Sequence, residues 1–346
     1  MTAVQHKMIL TGDINLMGVD DPAVPFAKIA PVLHAADVVF ANLECCFYEP
    51  EVERSVDDEG FYAYRSVAEA LRIAGIHAVG NANNVNYGAP AIRSSLSALD
   101  ALDIPHAGAG LNREDAHEPV VLERDGIRYG FLQRTSVFWS RGHEATDDYP
   151  GVATIKGHTA YRPRHEEMRS LTRPGMAPEV VTWAEPGHLE RFQDDIAALR
   201  RRADVVVASN HWGLDKEVLQ YQRDIAHAAI DAGADVVMGH GPHVPLPMEF
   251  YKNKPIYYGL GSFSFETGHG ALKHPDWIGM FARLSVEDGG ITEAAFSFVR
   301  HNAGNETILR AIAEEQEEFE DLKDLSAPLG VMLREDGDVA LIRPAA

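Results

Sequence analysis

Five short apolar runs in this chain stop abruptly at side chains that carry an oxygen or an imidazole. A strand around Met8 to Leu10 runs into Gly12, Asp13 and Asn15, and ADVVFANLECC stops at Asn42 and Glu44. IHAVGNANNVNYG gives Asn81, Asn83 and Asn84, ADVVVASNHWG delivers Asn210 and His211, and Ala234 to Met238 leads into His240 and His243 of GHGPH. Each run has the length and β-rich content of a strand buried on both faces. Helical periodicity fills the spaces between them. Ser66–Ala74 ends at Gly75, Ala89–Leu102 has Asp103 and Pro105 beyond it, His188–Ala203 follows, and Glu217–Ala232 ends at Gly233. Asp125-Gly126 and Asp288-Gly289 predict hairpins. The pattern describes a layered α/β fold with parallel strands at the site. In open α/β sheets ligands collect outside the carboxyl ends of the strands, so the five ends are expected to converge on one crevice.

The rhythm breaks from Trp139 to Gly187, where Pro, Gly, His and Arg accumulate (RPRHEEMRSLTRPGMAPEVV). An irregular insertion of this length in a compact domain is expected to be a lid or substrate loop. No linker or charge block divides the 346 residues, so residues 1–346 read as a single domain, with 139–187 inserted and 305–346 as a C-terminal extension.

Charge narrows the partners. With 52 acidic and 31 basic residues the formal net charge is −21, a field that repels polyanions and argues against nucleic acid. Much of the excess lies in the solvated helical stretch AEEQEEFEDLKD. The two cysteines, Cys45 and Cys46, are adjacent, which excludes a disulfide framework and fits small buried side chains better than a thiolate metal site. The N-terminus has no secretory pattern and no apolar run is long enough to span a bilayer. A soluble, cytoplasmic protein without membrane association is expected, with homo-oligomerisation left open.

Neutral imidazole is the commonest protein metal ligand, and the Gly/Pro-rich GHGPH loop aims two of them together. A mixed carboxylate, amide and imidazole set suits Mn, Zn or Fe rather than calcium, and one or two such ions are expected.

The segments GDINLMG, ADVVFANLE, NANNVNYG, SNHWG and GHGPH…KPIYYGLGSFSF, in this order from about residue 8 to residue 285, resemble the poly-γ-glutamate capsule biosynthesis (CapA) family, a branch of the calcineurin-like metallophosphoesterases. The resemblance implies a four-layer α/β/β/α sandwich with a metal centre at the sheet edge. It implies that Asp13 binds one metal, that Glu44 stands where relatives place a bridging Asp, that Asn84 completes the second ion, and that His211, His240 and His243 supply imidazoles. Three positions depart from the family pattern. Val85 stands where many relatives carry a His that helps protonate the leaving group, Gly241 replaces a further His, and Ser262 replaces the Asn of an LGNF motif.

With no imidazole at Val85, proton donation needs another group. Asp215, at an acidic position of the family's HWG segment, is the candidate general acid, with His211 and Asn15 as further catalytic residues. Asn15 and Asn42 are candidates to orient water or substrate, His117 is a candidate supporting residue, and Arg65, Arg162 and Arg164 are candidates to grip a carboxylate or phosphate. The expected activity is metal-dependent hydrolysis of an amide-like C–N bond, γ-glutamyl or another small-molecule or peptide-like amide. Phosphoester hydrolysis on the same centre and a non-catalytic ligand-binding or assembly role are the alternatives.

Overall fold

The apolar runs form strands whose two-sided burial sorts them into two sheets lying face to face. The computed structural model describes residues 4–50, 60–164, 175–268, 273 and 277–345. In chain order the strands of the two sheets are β1 (Gln5–Asn15), β2 (Val38–Leu43), β3 (Ala78–Gly80), β4 (His106–Ala107), β5 (Val120–Arg124), β6 (Ile127–Thr135), β7 (Val205–His211) and β8 (Val236–His240). They continue with β9 (Pro245–Tyr251), β10 (Lys254–Leu260), β11 (Ser262–Phe265), β12 (Gly279–Glu287), β13 (Gly290–His301), β14 (Thr307–Arg310), β15 (Val331–Asp336) and β16 (Val339–Pro344). The first sheet runs β15-β16-β13-β12-β1-β2-β3-β4, with β11 beside β1 and β14 beside β13; the second runs β9-β10-β8-β7-β6-β5. The strands that lead to the expected site, β1, β2 and β3 in one sheet and β6, β7 and β8 in the other, pair in parallel.

The α-helices among the described residues are α1 (Ala30–His34), α2 (Glu69–Ala74), α3 (Ala89–Asp100), α4 (Pro186–Arg200), α5 (Gln220–Ala232) and α6 (Gln316–Ser326), with a further short helix over Arg113–His117. The ends of α2, α3, α4 and α5 fall within three residues of the sequence expectations, and α1 was not expected. Both Asp-Gly turns close hairpins, β5 to β6 and β12 to β13.

Alternation along each strand builds three cores and therefore four layers. Met8, Leu10, Val38 and Phe40 of the first sheet meet Phe131, Val205, Val207 and Met238 of the second, with Phe40 stacked on Phe131 at 4.6 Å. The intervening Ile9, Val39 and Ala41 face outward onto α1, α2 and α3. Val206, Ala208 and Val237 do the same on the second sheet, against Phe192 and Ile196 of α4 and Ile225 and Ala229 of α5.

Two segments set apart in the sequence carry regular structure of their own. The stretch 139–187 is partly regular: Gly157–Arg162 and Glu179–Ala184 pair as an antiparallel ribbon, with residues 165–174 outside the described residues. The ribbon seats on the helices of the second sheet, since Ala184 joins their core and Thr182 Oγ1 accepts the Tyr221 N–H at the start of α5. Residues 305–346 are integral rather than appended. They supply β14, β15 and β16 to the first sheet, and Phe319 and Leu322 of α6 to the central core.

Candidate metal centre

The same alternation that fills the central core carries polar side chains to its rim. Asn42 follows Val38 and Phe40 in phase, Gln133 follows Phe131, Ser209 and His211 follow Val205 and Val207, and His240 follows Val236 and Met238, so all five sit at the carboxyl edge between the sheets. Asp13 does not follow simple alternation, which would send it outward with Ile9. A shift of register between Thr11 and Asp13 sets Asp13 opposite Asn42 on β2 and returns its carboxylate to the inner face.

Five distant segments thereby meet. Asp13, His211 and His240 form one group whose ligand atoms lie within 4.8 Å of one another, and Asp13, Glu44 and His243 form a second. His240 Nδ1 is 3.6 Å from Asp13 Oδ1, His243 Nδ1 is 3.1 Å from Asp13 Oδ2, and His243 Nε2 and His211 Nε2 are 3.7 and 3.9 Å from Glu44 Oε1. Asn84 Oδ1 lies 2.7 Å from His211 Nε2, and the two ring Nδ1 atoms of His211 and His240 are 3.1 Å apart. The carboxylate common to both groups is Asp13, whereas the resemblance gives the bridging role to Glu44.

The local sequence explains how the ligands are held. Asn83 caps the turn that presents Asn84: its Oδ1 accepts from the backbone of Val85 and Asn86, while its Nδ2 donates to Leu43 O at the end of β2. Asn86 Nδ2 donates to Leu43 O and Asn81 O, pinning the same loop. In GHGPH, Gly241 has φ +116° and its N–H donates to Asp13 Oδ2 at 3.2 Å, while His243, at φ +60°, turns its ring back against Phe265.

The electrostatics of the cluster fit a cation. Asp13 and Glu44 are fully buried, and Glu44 Oε2 has no hydrogen-bond partner among the described residues. Burial, followed by the negative charge of Asp13, pushes the Glu44 carboxyl well above the ordinary range. Burial would raise Asp13 as well, but His243 alongside it and the charges of His240 and His211 hold it well below the usual carboxylate value. Burial, reinforced by the neighbouring His240, lowers His211 strongly, and burial lowers His240 to about 4, so both imidazoles keep free lone pairs at neutral pH. Two buried carboxyls facing three imidazoles, with an unsatisfied oxygen among them, are the donor set a Mn, Zn or Fe ion takes.

The other candidate site residues have the following surroundings. Asn15 Nδ2 donates to Thr267 O and its Oδ1 accepts from Met17 N–H, so its side chain shapes the loop after β1. Asn42 is buried with both amide atoms engaged, Nδ2 on Asp13 Oδ1 and Oδ1 on Gln133 Nε2. Arg65 Nη1 donates to Ser94 O and Oγ, Arg162 is spent in a bidentate pair with Glu179 across the ribbon, and Arg164 lies exposed just beyond it. His117 belongs to a separate cluster with Asp195 and Arg134. Asp215 is exposed at φ +56° on the loop after His211. Cys45 and Cys46 are buried, burial raises both thiols, Cys45 to about 12, and neither belongs to the two ligand groups. Sequence reading missed Gln133 and Ser209. Gln133 ends the apolar run Gly130 to Leu132 in the manner of the other five, which was the available signal.

Fold and cluster together define a metallophosphoesterase-like protein. Within that class the chain belongs to the family described as Bacterial capsule synthesis protein PGA_cap, whose model matches residues 3–267. It is 29% identical over 262 residues to the capsule biosynthesis protein CapA of Bacillus anthracis, a match covering 74% of this chain and 56% of that protein. It is 26% identical over 249 residues to the PGA biosynthesis protein CapA of Bacillus subtilis strain 168, covering 70% and 57%. A probable polyglutamine synthesis accessory protein of Mycobacterium tuberculosis is 28% identical over 250 residues, covering 68% and 58%. The matched part of the chain thus spans little more than half the length of these relatives. No helix among the described residues is long and apolar enough to cross a membrane.

Proposed function

We propose that this chain is a metal-dependent hydrolase that uses one or two Mn, Zn or Fe ions to cleave an amide-like C–N bond, γ-glutamyl or similar, in a small-molecule or peptide-like substrate. The observation that carries this reading is the pair of ligand groups sharing Asp13, in which the buried carboxyl groups of Asp13 and Glu44 face the imidazoles of His211, His240 and His243. Asp13, Glu44, Asn84, His211, His240 and His243 would hold the metal, which when bound acidifies water and polarises the scissile group. His243, whose side chain is 41% exposed, and the half-buried Asn84 mark the open side by which a substrate reaches the centre. Trp139, held by its indole N–H to Asn84 O, and Tyr87, edge-on to Trp139, wall that side.

The amide preference rests on two points. Val85 is fully buried in the core between the first sheet and its helices and offers no proton donor where phosphoesterase relatives place an imidazole. The names of the relatives speak of PGA and polyglutamine synthesis, and polyglutamine is an amide polymer. The phosphoester alternative keeps the same ligands and is distinguished by substrate alone. The test is a panel of γ-glutamyl-p-nitroanilide, poly-γ-glutamate, p-nitrophenyl phosphate and bis(p-nitrophenyl) phosphate, run on metal-stripped protein resupplied with Mn²⁺, Zn²⁺ or Fe²⁺. The proposal expects metal-dependent turnover of the amides, lost in His211→Ala. Turnover of the phosphates alone replaces it with the phosphoester reading, and binding of metal without turnover of any substrate replaces it with a non-catalytic role.

A further inference from the structure

We infer that Gln133 is the positioning residue that clamps together the two halves of the centre, which are supplied by different sheets. This rests on the metal reading above. Gln133 is fully buried on β6 of the second sheet with its side chain between the sheets. Its Oε1 accepts the Ala82 backbone N–H at 2.9 Å, its Nε2 donates to Asn42 Oδ1 at 2.8 Å, and Asn42 Nδ2 donates to Asp13 Oδ1 at 2.8 Å. Both ends of this chain have fixed polarity, because a backbone N–H only donates and a carboxylate only accepts. Neither amide can be turned round without breaking two bonds. Gln133 Nε2 also lies 3.1 Å from His240 Nε2, which Ser209 Oγ flanks at 2.9 Å, and this leaves His240 Nδ1 as the nitrogen turned toward Asp13. One side chain of the second sheet therefore fixes Asp13 of the first and adjoins His240 of its own.

The surroundings are cleared for this amide. A Cβ on Gly80 would stand 2.1 Å from Gln133 Oε1, and one on Gly108 would stand 3.1 Å from it. The task also needs a neutral amide of this length. Glu accepts from Ala82 but cannot donate to Asn42, and an apolar residue does neither. Partners that orient metal ligands are commonly worth 10–100-fold in metal affinity, which is roughly the effect expected here.

The experiment is calorimetric titration of Mn²⁺ into the metal-stripped full chain, with folding of each variant checked by circular dichroism. Gln133→Met, matched in size, should weaken Mn²⁺ about 10–100-fold. Gln133→Glu should also weaken it, although a new negative charge beside a cation site would by charge alone strengthen binding. Gly80→Ala, which pushes the Gln133 amide off its partners while leaving its chemistry intact, should act in the same direction and serves if Gln133→Met does not fold. The double variant Asn42→Leu/Gln133→Met should be no worse than the weaker-binding single, since the relay acts as one unit. Gln222→Met provides the control, removing an equally buried amide whose Oε1 takes the N–H of Leu219, the residue before α5; it should lower thermal stability and leave Mn²⁺ affinity unchanged. Mn²⁺ affinity within threefold of wild type in Gln133→Met, tighter binding in Gln133→Glu, or additive losses in the double variant overturn the clamp and leave the metal reading intact. A wild-type chain that binds none of Mn²⁺, Zn²⁺ and Fe²⁺ overturns the metal reading itself, and the clamp with it.

Discussion

His143 illustrates how single side chains fix the approach to the centre. Its ring is buried, Nε2 donates to Asn86 O at 3.0 Å and Nδ1 accepts the Trp139 N–H at 3.1 Å, a pairing that only the neutral ring can make. Burial pushes its pKa down from 6.5 to about 4, with the Asn86 and Asn83 backbone restoring only part. The unfolded chain takes up this proton near 6.5 and the folded chain resists it. The stability contributed by the neutral ring is therefore complete above pH 6.5 and lost as pH falls toward 4, on the order of 3 kcal/mol in all. Denaturant midpoints of wild type and His143→Gln between pH 7.5 and 4 should show the variant losing less stability over this window. Asp215 makes the opposite case. Exposed and outside the ligand groups, it should tolerate Asp215→Asn with kcat changed less than threefold, whereas a general acid would cost about 10²–10⁴. Steady-state rates on the substrate the wild type turns over decide between them.

At the scale of elements, the ends of the five apolar strands were legible because two-faced burial leaves no polar residue until the strand reaches the rim. Asp13, Glu44, Asn84, His211, His240 and His243 all follow from that rule. What the sequence could not disclose lies across strands. Asn42 reads as an open polar residue until β1 is set beside β2, where it becomes the partner of Asp13, and Arg162 reads as a free cation until Glu179 is placed opposite it on the ribbon. The register shift that turns Asp13 inward has no composition signal. The GHGPH turn also explains a departure from the family pattern. Gly241 adopts a backbone conformation that side chains avoid, and a Cβ there would meet Trp212 O at 2.9 Å and His211 Nε2 at 3.1 Å. Restoring an imidazole by Gly241→His should therefore displace His211 rather than add a ligand. Mn²⁺ titration should read a loss of at least about tenfold, in the range seen when the groups around a site are disturbed.

At the scale of the whole molecule, the centre exists only where two sheets are held in contact, because Asp13, Glu44 and Asn84 come from one and His211 and His240 from the other. The stacked Phe40 and Phe131 lie in the same contact that brings Asn42 to Gln133. The match to the family model ends at residue 267, yet β1 is zipped along Gln5 to Thr11 onto β12, which starts at Gly279. Anyone trimming an expression fragment to the matched residues would strip that neighbour away and leave the strand bearing Asp13 with a naked hydrogen-bonding flank, a template for self-association. Size-exclusion chromatography should find a fragment ending at 267 in the void volume and a chain reaching residue 345 in a discrete peak. The reach of the family match and the smallest piece that can be made and handled therefore differ.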